Sequence, residues 1–478
     1  MPINFMKIQR FYIPLFVVLS FLHANAQELQ ERIQQILNAT KTDSSEYGIA
    51  IFSTRENKFL FEQNSESLLL PASTTKLYTT SIALLFLGDE YIVNTEILTD
   101  DINLDDNIID GNIFFKGYGD PSFSISHLEE MVKAIKLKGI KNIKGDIIVD
   151  DSFFDEILFR EEWIEDENRN VPLPAICATT IDKNTITLSV RGNSRTNRKP
   201  SVSFSPKMDY FTVVNSARTT GRRIRIGAVV HQTKDGEKIS VTGTIPRNRL
   251  ATIKVQIKNP PLFIGHLLKI ILTKNGIGFN GKIITQPAPE VLNLLSSQET
   301  PLVNLISEIN KRSDNFIAEH LFKIIGANYS EGSGGAFDAS QAIITFLKSS
   351  NLYEEDLSIV DGSGISRSNK FSAKALVRLL THIYYTKDEF NHFYNSLSIA
   401  GVDGTLGNRM SGSAAYSNCR AKTGTLRGVT TTSGYVTSND NDLIIFSMNF
   451  NSFKRSANYY RDVMDRIIIL LAEFQKTP

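Results

Sequence analysis

Cysteine, histidine and long apolar runs are scarce in this chain of 478 residues, and each shortage removes a class of protein. The two cysteines, Cys177 and Cys419, stand without a histidine cluster, so a zinc site is not expected. Beyond the N-terminus, even the apolar segment Arg461–Phe474 is interrupted by charged residues, so a transmembrane helix is not predicted. The formal net charge of +1 gives no reason to expect nucleic acid or an acidic membrane surface as a partner.

The N-terminal segment has the three parts of a secretory signal. Lys7 and Arg10 precede an apolar run at Phe11–Leu22, and small residues follow in Ala24-Asn25-Ala26. This order predicts a signal peptide over residues 1–26 and a periplasmic location. An uncleaved N-terminal anchor is the alternative, and loose attachment to the membrane stays open. An exported protein can pair its cysteines, but two cysteines so far apart in the sequence do not decide whether they meet.

Length and pattern predict a nested arrangement of domains. A chain of this length exceeds one ordinary core. Helical periodicity and β-rich runs occur near both ends, whereas the middle has many short β-rich runs and one clear helix at Ser126–Leu137. We therefore predict one domain built from residues 27–95 and 290–478. Residues 96–289 are expected to form an inserted β-rich region of two nested subdomains.

The first of three short motifs is Ser73-Thr74-Thr75-Lys76, at the start of a predicted helix. The spacing places the hydroxyl and the amine on one helical face. Serine is a weak nucleophile that needs an adjacent base, and lysine serves as one only if its pKa is lowered. Taken alone, the motif is better explained by a capping serine and a solvated lysine.

The other two motifs carry polar groups of complementary kinds. Ser313-Asp314-Asn315 lies between two helical stripes and offers a hydroxyl and an amide, although a helix N-cap explains it as well. Lys422-Thr423-Gly424, followed by Thr425, lies on a predicted strand. Glycine is expected inside a strand where a backbone or a ligand approaches closely. The lysine and the threonines would suit a substrate carboxylate.

In the order S-x-x-K, S-x-N and K-T-G, these motifs resemble the signature of penicillin-binding proteins and class A β-lactamases. More narrowly, the chain is similar to the D-alanyl-D-alanine carboxypeptidase/endopeptidase family S13, the penicillin-binding protein 4 type, which has a large insertion between the first two motifs. Further matching segments are Pro71-Ala72, Gly117-Tyr118-Gly119-Asp120-Pro121, Gly145-Asp146, Asp150-Asp151, Asp361-Gly362-Ser363-Gly364 and Gly401-Val402-Asp403-Gly404-Thr405-Leu406.

The resemblance implies a fold of the α/β (α+β) class. It is the penicillin-binding/β-lactamase-like transpeptidase fold, an antiparallel sheet flanked by helices plus a helical lobe, here with inserted β-rich domains. The resemblance also implies the reaction: a serine peptidase acting on peptidoglycan stem peptides through an acyl-enzyme. β-Lactams would be covalent inhibitors, and no metal, cofactor or nucleic acid is expected.

The resemblance assigns roles to particular residues. Ser73 would attack the carbonyl between two D-alanines, Lys76 would take its proton, and Ser313 would pass a proton to the leaving amine. The substrate-binding residues would be Asn315, Lys422, Thr423, Gly424 and Thr425.

Asp151 is a further candidate for substrate binding. It follows a predicted strand at Asp146–Val149, so it would emerge at the end of that strand. A carboxylate there would suit the side-chain amine of a diamino acid in the stem peptide. The alternative is that Asp150 and Asp151 are solvated turn residues.

Two other functions are compatible with the three motifs. A serine β-lactamase would use the same chemistry, but the long insertion and the lack of a recognisable deacylating Glu loop disfavour it. A catalytically inactive scaffold would bind peptidoglycan, but it has no need of nucleophile and base together.

Overall fold

The computed structural model describes residues 27–103, 107–160, 163, 173–330 and 332–475. The predicted signal peptide lies outside these ranges. The helices are α1 at 27–38, α2 at Thr75–Leu87, α3 at Ile125–Leu137, α4 at Pro260–Lys274, α5 at Leu302–Arg312, α6 at Asn315–Ser330, α7 at Ala336–Ser349, α8 at Ala373–Tyr384, α9 at Lys387–Ser396 and α10 at Ala457–Glu473.

The strands form one large antiparallel sheet and several smaller ones. The first strands are β1 at Tyr47–Ser53, β2 at Lys58–Gln63, β3 at Ile92–Thr99, β4 at Ile108–Ile109, β5 at Ile113–Gly117, β6 at Asn142–Ile143 and β7 at Ile147–Asp150. The next are β8 at Thr185–Arg191, β9 at Ser201–Ser203, β10 at Phe211–Asn215, β11 at Arg218–Thr219, β12 at Arg225–Thr233, β13 at Gly236–Ile245 and β14 at Leu250–Gln256. The last are β15 at Gly278–Phe279, β16 at Ile283–Thr285, β17 at Asn293–Pro301, β18 at Ser398–Ile399, β19 at Arg420–Leu426, β20 at Val429–Thr437 and β21 at Leu443–Asn451.

Both ends of the chain contribute to the largest sheet, whose order is β18-β19-β20-β21-β1-β2. Its neighbours are all antiparallel, and β1 pairs with β21 from Tyr47 opposite Phe450 to Ser53 opposite Ile444. One face packs against α1 and α10, and the other packs against α2 and the helices that follow β17. The predicted fold class, an antiparallel sheet flanked by helices with a helical lobe, is confirmed.

The middle of the chain builds further sheets with a separate apolar core. A five-stranded sheet has the order β16-β7-β5-β3-β17, and its strands β3 and β17 lead into and out of this region as an antiparallel pair. A second group contains β8 to β14. The boundaries of the insertion and its division into subdomains remain predictions.

The sequence pattern missed one helix of this middle region. Besides α3, the segment Pro260–Lys274 forms the helix α4. Asn259 caps its N-terminus, because the Asn259 side chain accepts a hydrogen bond from the backbone nitrogen of Leu262. Nine of its residues are buried because it packs against β7, β16 and α3. A run of apolar residues that follows directly on β-rich runs is not distinguished from a buried strand by periodicity alone, so this helix was missed.

The two cysteines are buried and unpaired. Burial raises the pKa of both thiols, so both are inert. Across the described residues, no helix is long and apolar enough to cross a membrane. In the same ranges, no three histidine, cysteine, aspartate or glutamate side chains group in a way that would hold a metal ion.

Candidate active site

Ser73 lies in a single 3₁₀ turn that leads into α2. Ala72 just before it has a φ of 49°, a left-handed conformation that non-glycine residues rarely adopt. A Cβ added to Gly424 would lie 2.9 Å from the backbone nitrogen of Ser73, so only glycine allows β19 to pass this close to the turn. The first and third motifs therefore lie in contact. The close approach of the two backbones explains why a glycine occupies this position in the strand, as the sequence predicted.

Lys76 is fully buried one turn along the helix. Its Nζ donates to Ser73 Oγ at 3.0 Å, to Asn315 Oδ1 at 2.7 Å and to the carbonyl oxygen of Ser363 at 2.5 Å. Burial lowers the pKa of Lys76 to about 8, against the opposing attraction of nearby carboxylates. A neutral amine keeps two N–H donors for the amide and the carbonyl, which leaves its lone pair directed at the Ser73 hydroxyl.

The three residues of the second motif make different contacts. Ser313 ends α5 in a left-handed conformation, with a φ of 56°, and Asn315 Oδ1 accepts from Lys76. Asp314 accepts a hydrogen bond from the backbone of Ile317 at 3.0 Å, so the N-cap interpretation holds for this residue. Asp314 also forms an ion pair with Lys183, which comes from the middle region.

Lys422 brings a second buried amine to the same place. Its Nζ donates to Ser313 Oγ at 2.8 Å and to the backbone carbonyl of Thr423 at 2.7 Å. Burial, together with the positive charge of Lys76, lowers the pKa of Lys422 well below its usual value. The two hydroxyls of the first two motifs are thus each paired with a lysine of depressed pKa, an arrangement suited to moving protons.

An open cleft of about 780 Å³ lies over the two buried amines and gives solvent access to the hydroxyls paired with them. Ser73, Ser313, Thr423 and Thr425 line it. The fold thus brings together side chains from segments hundreds of residues apart, namely Ser73, Lys76, Ser313, Asn315 and Lys422. Their catalytic and binding roles remain proposals.

Arg461 is a cleft residue that the sequence motifs missed. It lies on α10, and its guanidinium donates to Thr425 Oγ1 at 3.0 Å and to Asn458 Oδ1 at 2.8 Å. It belongs to no short motif, because only the packing of the last helix on β20, the strand next to β19, brings it to the cleft. Thr405, from one of the matching segments, also lines the cleft and accepts a hydrogen bond from Thr423.

A buried carboxylate holds the loop that supports Lys76. Glu319 on α6 accepts hydrogen bonds from the backbone nitrogens of Gly362 at 3.3 Å and Ser363 at 2.8 Å. Asp361 braces the same loop by accepting from the backbone of Gly364 at 2.7 Å. Burial and the neighbouring Asp361 raise the pKa of Glu319 to about 7.

Asp150 and Asp151 are not the solvated turn pair that was the alternative. Asp150 is buried and accepts from the backbone of Ala288 and from Ser152. Asp151 Oδ1 accepts from the backbone nitrogen and hydroxyl of Thr179 at 2.6 and 2.8 Å. Desolvation raises the pKa of Asp151 to about 6. Both carboxylates are structural acceptors, and Asp151 lies outside the set of residues that line the cleft.

The sequence profile of the D-Ala-D-Ala carboxypeptidase 3 (S13) family matches residues 29–474. Among curated proteins, the D-alanyl-D-alanine carboxypeptidase DacB of Haemophilus influenzae is 25% identical over 92% of this chain and 90% of its own length. The D-alanyl-D-alanine carboxypeptidase of Actinomadura sp. strain R39 is 28% identical, over 94% of this chain and 86% of its own length.

A solved structure shares the fold over nearly the whole chain. Penicillin-binding protein 4 from Haemophilus influenzae superposes with a TM-score of 0.76 at 24% identity, covering 92% of this chain and 99% of that one. The similarity therefore includes the middle region as well as the large sheet.

Removing the Glu319 carboxylate should loosen the loop at 361–364. Glu319→Ala leaves two buried N–H groups without acceptors, at about 1–3 kcal/mol each, so urea denaturation should show a clear loss of stability. Glu308→Ala, on an exposed face of α5, is the matched control and should change little.

The pH dependence adds a second readout. A pKa raised from 4.5 to about 7 favours the protonated carboxyl in the folded state, so stability is lost as pH rises through that window. Glu319→Gln cannot ionise and should flatten the profile between pH 4.5 and 7. Identical profiles for the Glu319→Gln variant and the parent would show that Glu319 does not titrate there.

Proposed function

The chain belongs to the D-Ala-D-Ala carboxypeptidase 3 (S13) family, and we propose that Ser73 is the nucleophile with which it cleaves peptidoglycan stem peptides. One observation carries the assignment: Ser73 Oγ lies 3.0 Å from a buried lysine amine whose pKa is lowered to about 8. A hydroxyl beside such an amine, at the wall of an open cleft, is an activated nucleophile.

The acylation step follows from these contacts. Ser73 Oγ forms a bond to the carbonyl carbon between two D-alanines, and its proton passes to Lys76. The oxyanion is stabilised by the backbone N–H groups of Ser73 and Thr425. When the C–N bond breaks, the proton held by Lys76 is passed on to the leaving amine through Ser313, which is hydrogen-bonded to Lys422. Water then hydrolyses the ester, and the enzyme returns to its starting state.

The same chemistry serves two substrates. Release of a terminal D-alanine is carboxypeptidase activity, and cleavage between cross-linked stem peptides is endopeptidase activity. The relatives with curated names are carboxypeptidases. Mass analysis of digested muropeptides measures the two activities side by side. The proposed site of action is the periplasm, which the leader predicted at residues 1–26 supports.

Ser73→Ala should abolish covalent labelling by a fluorescent penicillin while leaving the fold intact, because the change removes one oxygen from a partly exposed residue. Ser194→Ala, at an exposed serine of the middle region, is the control and should label normally. Labelling of the Ser73→Ala protein at another serine would refute the assignment.

Acylation by penicillin should depend on the charge of Lys76. Only the neutral amine accepts a proton, so the second-order rate should rise about tenfold per pH unit below pH 8 and level off above it. Stopped-flow measurements between pH 6 and 9.5 test this. A rate independent of pH over that range would mean that another group is the base.

Arg461 is proposed to bind the terminal carboxylate of the substrate beside Thr423 and Thr425. The depressed pKa of Lys422 weakens its claim to supply the positive charge, whereas a guanidinium stays protonated. Arg461→Gln should lower kcat/KM for peptides ending in a free carboxylate by about tenfold to a hundredfold, mainly through KM. Peptides whose terminal carboxylate is amidated should lose little, and Arg461→Lys should recover part of the loss.

The matched control is Arg466→Gln, an exposed arginine on the same helix. It should leave both substrates unaffected. An equal loss on carboxylate and amide substrates in Arg461→Gln would mean that this residue only supports Thr425.

Asp151 remains the proposed partner for a side-chain amine in the stem peptide. Both hydrogen bonds from Thr179 go to Oδ1, which leaves Oδ2 for an amine. Asp151→Asn should lower kcat/KM only for peptides with a free side-chain amine. In the parent enzyme that preference should fade below pH 6, where the carboxyl is protonated. Equal kcat/KM ratios in variant and parent would leave Asp151 with a structural role alone.

A further inference from the structure

Positive charge is concentrated in one part of the middle region. Residues 191–258 contain fifteen lysines and arginines but only three acidic residues, a net charge of +12, whereas the whole chain carries +1. The rest of the chain is therefore net acidic. This asymmetry is invisible in the overall composition, and none of the proposed catalytic steps uses it.

Ten of these basic residues lie on three segments, 191–199, 218–225 and 247–249, which together we name the basic edge. They are Arg191, Arg195, Arg198, Lys199, Arg218, Arg222, Arg223, Arg225, Arg247 and Arg249. All ten are exposed, and the three segments contain no acidic residue.

Backbone hydrogen bonds hold the three segments side by side. The nitrogen of Gly192 donates to the carbonyl of Arg249 at 2.8 Å, and Thr219 and Arg198 are joined at 2.8 Å. Arg218 and Arg225 flank the same residue of β13, Thr244, from strands on opposite sides of it. The ten side chains therefore belong to one end of this group of sheets rather than to separate surfaces.

The few acidic residues of this region lie at the other end. Asp235 is in the turn between β12 and β13, away from Arg225 at the start of β12. Glu237 is buried and accepts from the Tyr210 hydroxyl and the backbone of Lys258. In the part of the chain that the structure describes, no ion pair involves any of the ten basic side chains. Ten like charges kept unneutralised on one surface are typical of a site for a polyanion.

Apolar residues stand among these charges. Ile224, between Arg223 and Arg225, is 43% exposed, and Leu250, after Arg249, is 49% exposed. The basic edge has no aromatic residue, so it lacks the rings on which nucleic acid bases stack. Exposed aliphatic side chains between arginines suit a bilayer surface, where they enter the headgroup layer while the arginines pair with phosphates.

We propose that the basic edge binds the surface of an anionic phospholipid bilayer. The recognised groups are the clustered phosphates of lipid headgroups, and Ile224 and Leu250 add an apolar contribution. This surface attaches the inserted region, and not the catalytic cleft, to the membrane. The enzyme is thereby held beside the bilayer through its inserted region.

Vesicle co-sedimentation tests the proposal with the exported protein. Phosphatidylglycerol-containing vesicles should retain it at low salt, phosphatidylcholine vesicles should not, and 0.5 M salt should release most of it. Each basic residue near an anionic surface strengthens binding about fivefold. The fourfold variant R195Q/R198Q/R222Q/R223Q should therefore bind on the order of a hundredfold or more weakly.

The control removes the same charge elsewhere. K133Q/K136Q/K138Q/K141Q changes four exposed lysines on and after α3 and should bind vesicles as the parent does. Both variants should label normally with fluorescent penicillin, which confirms that they are folded. I224S/L250S should weaken the binding that survives at high salt by about tenfold or more.

Three results would overturn the proposal. The first is retention that does not distinguish anionic from zwitterionic vesicles. The second is an equal loss in the control and the basic-edge variants. The third is tight binding to soluble duplex DNA or polyphosphate without binding to vesicles, which would make the partner a soluble polyanion. None of these outcomes bears on Ser73, so the proposed catalytic function would stand.

Discussion

The burial of the Lys76 amine is the constraint on which the catalytic half of the molecule depends. A lysine with no exposed surface is costly to keep charged. The hydrogen-bond partners of its amine lie on three separate segments: the turn before its own helix, the start of α6 and the loop at 361–364. Each segment must therefore be held in place to a fraction of an ångström. Glu319 and Asp361 do this for the loop, at the expense of placing two carboxylates near each other in the interior.

Close approach of backbones is the second requirement of the site. Gly424 allows β19 to touch the turn that carries Ser73, and Gly364, with a φ of 79°, packs against the carbonyl of Ala72. Ala72, directly before Ser73, and Ser313 both adopt left-handed conformations. Strained backbone at functional residues persists only where the surroundings fix it, and here the packed sheet and helices on both sides do so.

The middle region contacts the catalytic half through polar links and through a few apolar side chains, among them Phe154 and Ala178, and otherwise has its own core. Lys183 reaches Asp314, and Lys323 on α6 pairs with Asp155 at 2.5 Å. The basic edge of the middle region lies on strands and turns that contain none of the three motifs. Acyl transfer and attachment to a surface can thus be carried by different parts of one chain, each altered without disturbing the other.

Residue types and spacings in the sequence determined the chemistry. A serine and a lysine three residues apart, taken together with the two later motifs, predicted a nucleophile and a base, and a glycine inside a strand predicted a close backbone approach. Periodicity and β-rich runs also indicated most strands of the large sheet and most helices. Periodicity failed for α4, an apolar segment that follows directly on β-rich runs and has nine buried residues.

What only the tertiary structure decided is which distant groups meet and how they titrate. Arg461 reaches Thr425 because α10 packs on β20, the neighbour of β19, and no spacing in the sequence records that contact. The lowered pKa of Lys76 follows from complete burial, which depends on every segment packed around it. Asp150 and Asp151 looked like turn residues, but neighbouring backbone groups enclose them. Local sequence fixes local geometry, whereas burial and long-range contact are properties of the whole packed chain.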